Sequence, residues 1–203
     1  MQALKDRIRA EGVYLGDGIL KIDGILNHQM DPNLIKAMGE EIAIRFRHTA
    51  PTRILTAEVS GIAPALMAAL ALNVPVVYAR KHKPVTMYGP IFMENAPSHT
   101  KGGETNLMVA AEYLPRGERI LIVDDFLASG KTLLALARMC REAKCELVGV
   151  AVVVEKAFEV GRGELQTKYG VPVEALATIT YLDEKHIVFE GEEMPVLEGA
   201  NGD

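Results

Sequence analysis

Residues 120–132 read Ile-Leu-Ile-Val-Asp-Asp-Phe-Leu-Ala-Ser-Gly-Lys-Thr. The run Ile120–Val123 is apolar without alternation, which is typical of a parallel strand buried on both faces. Two adjacent carboxylates follow at its end, then a short loop, and Ser129-Gly130 opens a helix. In open α/β sheets, ligands bind beyond the carboxyl ends of the strands. This segment therefore predicts a central strand and a ligand site at its tip.

The neighbouring segments extend the strand into a sheet. Leu147–Val154 is a second continuous apolar run, and the residues between the two runs form one helical face: Leu133, Leu136, Ala137, Cys140 and Ala143. Further strands are predicted at Arg53–Ala57, Val74–Ala79 and Val173–Tyr181, and helices at Met1–Arg9, at Ile62–Leu72 and after an Asp31-Pro32 N-cap. Non-alternating strands separated by helices predict an α/β fold with a doubly wound, mostly parallel sheet.

Composition sets limits on the class of protein. The chain has 203 residues, 49% of them hydrophobic and 24% charged, with a formal charge of -5. This is the composition of one globular domain, and it excludes a disordered, collagen-like or disulfide-scaffold chain. Most of the negative charge lies in residues 191–203, where four acids occur without a Lys or Arg. A basic nucleic-acid platform is therefore not expected.

Nothing in the sequence predicts a membrane protein or a metal cluster. The N-terminal residues are charged rather than apolar, and the longest apolar run, Leu147–Val154, is only strand-sized. Cys140 and Cys145 lack partners at metal-ligand spacing, so two reduced thiols in a cytoplasmic protein are expected. The five histidines show no ligand spacing either.

The loop after the acidic pair has the chemistry of an anion site. Its backbone N–H groups and the positive end of the following helix attract a phosphate. Gly130 has no Cβ and allows close approach, Ser129 and Thr132 add hydroxyl donors, and Lys131 adds charge. Asp124 and Asp125 suit the hydroxyls of a sugar, since carboxylates accept hydrogen bonds. Mg²⁺ ligation and a simple helix-capping turn remain alternatives.

A triphosphate-binding Walker A loop is the closest rival to this interpretation. Gly130-Lys131-Thr132 matches its end, but the motif needs a glycine five positions before its second glycine. Asp125 occupies that position, and its carboxylate would repel a triphosphate. One terminal phosphate is what the loop can hold.

Lys81–Glu104 fits no helix or strand period and carries several prolines and glycines. Long irregular segments in compact domains are usually binding loops or lids. We predict a lid that closes over the ligand, with an exposed β-ribbon as the alternative.

The run at 120–132 resembles the phosphoribosyl-diphosphate signature of the type I phosphoribosyltransferases. Other segments are similar to the branch of that family that acts on xanthine: Asn27-His28-Gln29, Glu58–Pro64, Ala79–Lys83, Val154–Phe158 and Gly161-Arg162. The resemblance covers Met1 to about Glu190. It implies one domain over residues 1–190, with a small N-terminal hood over the base site built mainly from residues 1–30 with C-terminal contributions. Residues 191–203 would then be a flexible acidic tail.

The resemblance also implies a reaction and a role for each group. Xanthine N9 would take the phosphoribosyl group from 5-phospho-α-ribosyl 1-diphosphate, in a Mg²⁺-dependent enzyme of purine salvage that is a homodimer. Asp124 and Asp125 would hold the ribose, and Mg²⁺ would be bound mainly through the substrate. The 5-phosphate would lie on Ala128, Ser129, Gly130, Lys131 and Thr132. The diphosphate would lie near Glu58, Val59, Ser60, Gly61, Arg80 and Lys81, in a loop that often contains a strained peptide in this family. Xanthine would contact the Leu20 backbone, Asn27 and Lys156.

Three points stay open at this level. Phe126 either stacks on the purine or belongs to the core. Ala128 stands where the hypoxanthine–guanine branch usually has an acid, so no residue is assigned to proton transfer at purine N7. Guanine or hypoxanthine is an alternative substrate, because selectivity rests on a few hydrogen bonds. A transcription regulator that only senses phosphoribosyl diphosphate is disfavoured, since no basic helix-turn-helix precedes the domain.

Overall fold

The structure of the protein, a computed structural model, describes residues 1–97 and 104–195. Its helices are α1 (Gln2–Glu11), α2 (Pro32–Phe46), α3 (Ile62–Leu72), α4 (Lys131–Glu142) and α5 (Gly161–Tyr169). Its strands are β1 (Val13–Tyr14), β2 (Leu20–Lys21), β3 (Arg53–Ala57), β4 (Val76–Ala79), β5 (Ile91–Pro97), β6 (Glu104–Ala110), β7 (Arg119–Leu127), β8 (Glu146–Lys156), β9 (Val173–Leu182) and β10 (Ile187–Phe189). None of the helices within these residues is long and apolar enough to span a bilayer.

The main sheet has six strands in the order β10-β9-β8-β7-β3-β4. All neighbours are parallel except β10, which pairs antiparallel with β9. Side chains of β7 alternate between two cores: Leu121 and Val123 join the core beneath α1, α2 and α3, whereas Ile120 and Ile122 join the core beneath α4 and α5. The predicted α/β fold with a doubly wound, mostly parallel sheet is confirmed.

Local chemistry explains why α2 begins where it does. The Asp31 side chain accepts hydrogen bonds from the backbone N–H groups of Asn33 (2.9 Å) and Leu34 (3.3 Å). Pro32 occupies the first helical position, where its missing N–H costs nothing. The predicted N-cap is confirmed.

The central strands differ in length from the prediction. β7 continues to Leu127, because Phe126 and Leu127 still pair with Val154 and Glu155 of β8. The acidic pair therefore lies inside the strand rather than after it. β4 begins two residues later than predicted: the Val74 N–H bonds to the Ala69 carbonyl at the end of α3, and Pro75 has no N–H to donate.

The segment 81–104 is not irregular throughout, so this part of the prediction is wrong. Residues of β5 pair with β6 in an antiparallel ribbon, which the predicted alternative had described. Turns precede the ribbon, with Met87 N–H bonded to the Pro84 carbonyl. Residues 98–103 of this segment and residues 196–203 of the acidic tail lie outside the described residues. Closure as a lid stays a prediction.

The N-terminal segment packs over one end of the sheet. The β1–β2 hairpin is followed by a π-helical turn, Asp23–Asn27, whose Ile25 and Leu26 join the core of α1 and α2. The Met1 ammonium donates to the Leu176 carbonyl of β9, which anchors α1 to the sheet. Glu192 at the start of the tail accepts a hydrogen bond from the Phe189 N–H at 2.9 Å.

Candidate active site

The acidic pair lies within the last four residues of β7, a segment called the β7 tip from here on, and its two members are not equivalent. Asp124 is only 5% exposed, while Asp125 is half-buried. The Asp125 N–H donates to Asp124 Oδ1 (3.0 Å), and the Phe126 N–H donates to Asp125 Oδ1 (2.8 Å). Burial, followed by the neighbouring charge of Asp125, raises the pKa of the Asp124 carboxyl well above its usual range. A cation or hydroxyl donors placed beside the β7 tip would therefore stabilise the charged form of these carboxyl groups.

The predicted phosphate loop, Ala128–Thr132, follows directly. Gly130 has φ 73°, a left-handed conformation that glycine adopts without a Cβ penalty, and it forms the N-cap of α4. Lys131 is exposed, whereas Ser129 and Thr132 are half-buried. The loop thus combines a helix N-terminus with hydroxyl and ammonium groups, which is the arrangement predicted for an anion.

One open cavity of about 950 Å³ joins this loop to the other predicted groups. It is lined by the acidic pair and the phosphate loop, and by the residues assigned to the base: Leu20, Asn27, Phe126 and Lys156. These residues come from the tips of β7 and β8, from β2 and from the π-helical turn. The structure therefore brings the ribose, phosphate and base groups of the sequence prediction into one site.

Lys156 ends β8 inside this cavity. Its Nζ lies 5.7 Å from the centroid of the Phe126 ring. Desolvation lowers the pKa of the Lys156 ammonium, and the charge of Glu159 opposes that change. Phe126 lines the cavity and also packs against the hydrophobic core, and its stacking on a purine stays a prediction. A half-buried cation above an aromatic ring is suited to a flat, electron-rich ligand.

The predicted diphosphate residues do not line that cavity: Glu58–Gly61 follow β3, and Arg80 and Lys81 follow the neighbouring strand β4. The peptide bond Glu58–Val59 is cis, in the loop where the resemblance implied an unusual peptide. Glu58 Oε2 pairs with Arg80 Nε at 2.9 Å, and Glu58 Oε1 accepts the Lys81 N–H at 2.5 Å. Ser60 is half-buried and Val59 is 65% exposed.

Gly61 lies between the tips of β3 and β7. A Cβ on this residue would lie 2.4 Å from both Asp124 Oδ1 and Thr56 Oγ1. The Thr56 side chain is fully buried, and its hydroxyl has no hydrogen-bond partner among the described residues. Lys81 lowers the pKa of Asp124 in opposition to burial. The residues predicted to bind diphosphate therefore lie beside the acidic pair rather than across the cavity from it.

The sequence prediction missed several residues that line the cavity. They are charged or apolar side chains of the β1–β2 hairpin, of the following turn, of α4 and of the loop after β8: Leu15, Asp17, Ile19, Lys21, Asp23, Leu133 and Glu159. The glycines around the hairpin indicated that the chain turns there, but nothing in the local sequence placed it beside β7. Glu159 carries no sequence signal beyond its distance from Lys156.

Comparison with known proteins agrees with the fold. Residues 27–168 match the family model of the phosphoribosyl transferase domain, and the chain belongs to this family. Among solved structures, adenine phosphoribosyltransferase from Trypanosoma brucei, in complex with AMP, pyrophosphate and ribose-5-phosphate, has a TM-score of 0.72 at 22% identity, covering 90% of this chain and 82% of that one. At this identity the likeness establishes the shared fold alone.

Within the family, the similar curated proteins are xanthine phosphoribosyltransferases. The enzyme of Deinococcus deserti is 54% identical over 91% of this chain and 95% of its own. That of Stutzerimonas stutzeri is 43% identical over 93% of this chain and 99% of its own. The resemblance inferred from the motifs is confirmed.

Proposed function

We propose that this protein transfers the 5-phosphoribosyl group from 5-phospho-α-ribosyl 1-diphosphate to N9 of xanthine, giving xanthosine 5′-phosphate and diphosphate. The observation that carries the proposal is the single cavity in which an acidic strand tip, a phosphate loop and a half-buried lysine meet. The similarity to xanthine phosphoribosyltransferases at up to 54% identity supports the choice of base.

The proposed reaction exchanges one bond at C1 of the ribose. The C1–O bond breaks and its electron pair leaves with the diphosphate, while xanthine N9 supplies the pair for the new C1–N9 bond. Positive charge develops on the ribose ring, and the carboxylates of Asp124 and Asp125 stabilise it. Most of the acceleration would come from holding N9 and C1 in line and from excluding water.

The two ends of the sugar are assigned to different loops. Ala128–Thr132 would hold the 5-phosphate through backbone N–H groups and hydroxyls. Arg80 and Lys81, beside Glu58–Gly61, would stabilise the departing diphosphate. The Coulomb effect of Lys81 on Asp124 supports this placement, because it puts the cation within electrostatic reach of the acidic pair.

Mg²⁺ is the proposed cofactor, carried mainly by the substrate. No three His, Cys, Asp or Glu side chains converge as a metal site within residues 1–97 and 104–195, whereas Mg²⁺ usually takes one or two protein carboxylates. Asp124 and Asp125 fit that need, because a divalent cation would offset two adjacent negative charges in a buried setting. The ion would neutralise charge on the leaving diphosphate. Chelation with EDTA should abolish diphosphate release, and added Mg²⁺ should restore it.

Lys156 is the proposed determinant of base choice. Xanthine has carbonyl oxygens at C2 and C6 and loses a proton near neutral pH more readily than hypoxanthine, so a nearby ammonium favours it. When N9 attacks with its electron pair, the proton that must leave is the one at N7; a base that enters already deprotonated there has none to lose, and no acid–base residue is assigned. Leu20 and Asn27 would complete the contacts.

The same proposal covers organisation and location. Residues 1–190 would act as one domain with an N-terminal hood, in a cytoplasmic homodimer. Its ligands would be small molecules, not nucleic acid or membrane. Sedimentation equilibrium at several concentrations would test the dimer.

The decisive test measures diphosphate release with xanthine, guanine and hypoxanthine in parallel. We expect the highest kcat/KM with xanthine. A preference for guanine or hypoxanthine would replace the proposed base and keep the enzyme. Binding of phosphoribosyl diphosphate without release on any base would favour the regulator instead.

A variant locates the base contact. Lys156→Ala should raise the KM for xanthine by about tenfold or more, because a buried partner group is left unpaired at about 1–3 kcal/mol. The KM for phosphoribosyl diphosphate should change much less. Lys36→Ala, on an exposed part of α2, is the control. Equal losses for both substrates would contradict the assignment of Lys156 to the base.

A further inference from the structure

The first turn of α5 packs directly against the predicted phosphate loop. The Gly161 N–H donates to the Ala128 carbonyl at 3.0 Å. A Cβ on Gly161 would lie 2.3 Å from the Ala128 carbonyl oxygen and 2.7 Å from the Gly130 nitrogen. Both are backbone atoms of the loop, so neither can rotate away as a flexible side chain would. The helix and the loop meet at a distance that only glycine allows.

The contact is close from both sides. A Cβ on Gly130 would lie 2.9 Å from the Gly161 Cα, and Gly130 already has a positive φ of 73°. A Cβ on Gly161 would also lie 2.6 Å from Cδ1 of Leu127, the residue that precedes the loop. The path of the loop from β7 into α4 is therefore shaped by a helix that contributes no side chain to the cavity lining.

An ion pair between the partly exposed Arg162 and the buried Glu155 holds that helix turn in place. Arg162 Nε donates to Glu155 Oε1 at 2.6 Å, and Arg162 Nη2 donates to Glu155 Oε2. Arg162 Nη1 also donates to the Val173 carbonyl of β9, and the Thr178 hydroxyl donates to Glu155 Oε2 at 3.3 Å. Glu155 is 1% exposed. A bidentate pair on a buried carboxylate fixes direction as well as distance.

Glu155 also connects this pair to the catalytic strands. It precedes Lys156 in β8 and is paired with Leu127 of β7 in the sheet register. Glu155 is thus adjacent to Lys156 along β8 and to Leu127, the last residue before the phosphate loop, across the sheet.

We propose that Gly161, Arg162 and Glu155 form a loop brace, which holds the phosphate loop in the shape that binds the 5-phosphate. The three are positioning residues, because none of them lines the cavity described above. The proposal rests on the proposed function for the identity of the ligand. It extends that function by placing part of the sugar affinity in a helix behind the site.

Gly161→Ala tests the brace, and the same helix provides its control. Gly163 is exposed, and a Cβ there would meet nothing within 4 Å. We expect Gly161→Ala to raise the KM for phosphoribosyl diphosphate by about tenfold or more, since misplacement near 1 Å can cost about a hundredfold in a positioned site. The KM for xanthine should stay within about threefold of the parent on the same reasoning. Gly163→Ala should leave both values unchanged.

A titration without base separates this proposal from the proposed function. Binding of phosphoribosyl diphosphate and of ribose 5-phosphate is measured by calorimetry on both glycine variants, alongside the melting temperature. Loss of affinity for both ligands in Gly161→Ala alone supports the brace, even if xanthine proves to be the wrong base. A folded Gly161→Ala protein with parental affinity overturns it, whether or not its melting temperature falls.

Arg162→Lys provides a second test if Gly161→Ala does not fold. Lysine keeps the charge that satisfies Glu155 but cannot donate in a planar fork. We expect the KM for phosphoribosyl diphosphate to rise by about threefold or more, because lysine does not replace arginine at bidentate sites. An unchanged KM in a folded Arg162→Lys protein would show that the Glu155–Arg162 ion pair does not help to hold the phosphate loop.

Discussion

The tips of β7 and β3 lie side by side in the sheet, yet their polar groups are arranged differently. At the β7 tip, the acidic pair and the phosphate loop line an open cavity. At the β3 tip, the Glu58 carboxylate already has partners from the end of β4: it pairs with Arg80 at 2.9 Å and accepts the Lys81 backbone N–H at 2.5 Å. The β7 tip can bind an anion as it stands. At the β3 tip, an anion must first displace the Glu58 carboxylate from Arg80.

The origin of this difference is the kind of group that each tip uses. The β7 tip relies on backbone geometry, with Gly130 in a left-handed conformation at the start of α4. The β3 tip relies on long side chains, and Arg80 remains 36% exposed in its pair with Glu58. An ion pair of this exposure contributes about 0–1 kcal/mol, so a diphosphate with several charges can displace it. The comparison predicts a preformed 5-phosphate site and an adjustable diphosphate site.

The largest effect is expected where the two tips touch. Gly61→Ala should lower kcat/KM by about a hundredfold, or about 2.7 kcal/mol. The new Cβ would fall 2.4 Å from Asp124 Oδ1 and from Thr56 Oγ1, so the β3 loop or the acidic pair must move. Steady-state kinetics on folded protein measures the loss, with Gly163→Ala as the control. Parental efficiency would show that the two tips are independent.

Asp124→Asn separates the chemistry of the β7 tip from its stability. Turnover should fall by at least about tenfold, or some 1.4 kcal/mol, because the developing charge on the ribose loses a carboxylate. The melting temperature at pH 7 should rise, because burial disfavours the charged carboxylate and asparagine removes that cost. Full turnover in the variant would show that the acidic pair has a structural role rather than a role in the reaction.

The sign of that stability change follows from the raised pKa of Asp124. Above the ordinary aspartate pKa, the unfolded chain releases this proton while the folded protein retains it. Folding stability therefore falls as pH rises from the ordinary aspartate range to the raised folded pKa. Asparagine removes this dependence, so parent and variant should have similar stability near pH 3 and diverge as pH increases. A difference that is independent of pH would contradict the assignment to this group.

Local sequence was sufficient for most of the sheet and for the phosphate loop. The apolar run Ile120–Val123 predicted a strand buried on both faces, and Gly130 after Ser129 predicted the turn into α4. Both signals are short-range, because burial and backbone conformation depend on adjacent residues. The strand length was underestimated because Asp124–Leu127 is paired by β8, which a local pattern does not report.

Contacts between distant segments could not be predicted in this way. The approach of Gly61 to Asp124 and of Gly161 to Ala128 joins residues more than thirty positions apart, and the glycines look like ordinary turn residues in the sequence. The pair of Glu155 with Arg162 is seven residues apart, but its burial depends on Thr178 and Val173 of β9. These contacts depend on how the strands assemble, so they were found only in the structure.

The smallest change in kinetics should come from a substitution at the β3 tip, the proposed adjustable diphosphate site. Glu58→Gln removes the charge that competes with the diphosphate for Arg80, while the amide oxygen can still accept the Lys81 N–H. We expect the KM for phosphoribosyl diphosphate to fall by about twofold, the size of a pair contributing roughly 0.5 kcal/mol. The difference should shrink with added salt, because salt weakens partly exposed ion pairs and competes for the same charges. Glu142→Gln, exposed at the end of α4, is the control. A rise in KM would mean that Glu58 holds Arg80 in its binding position, and the β3 tip would then be preformed like that of β7.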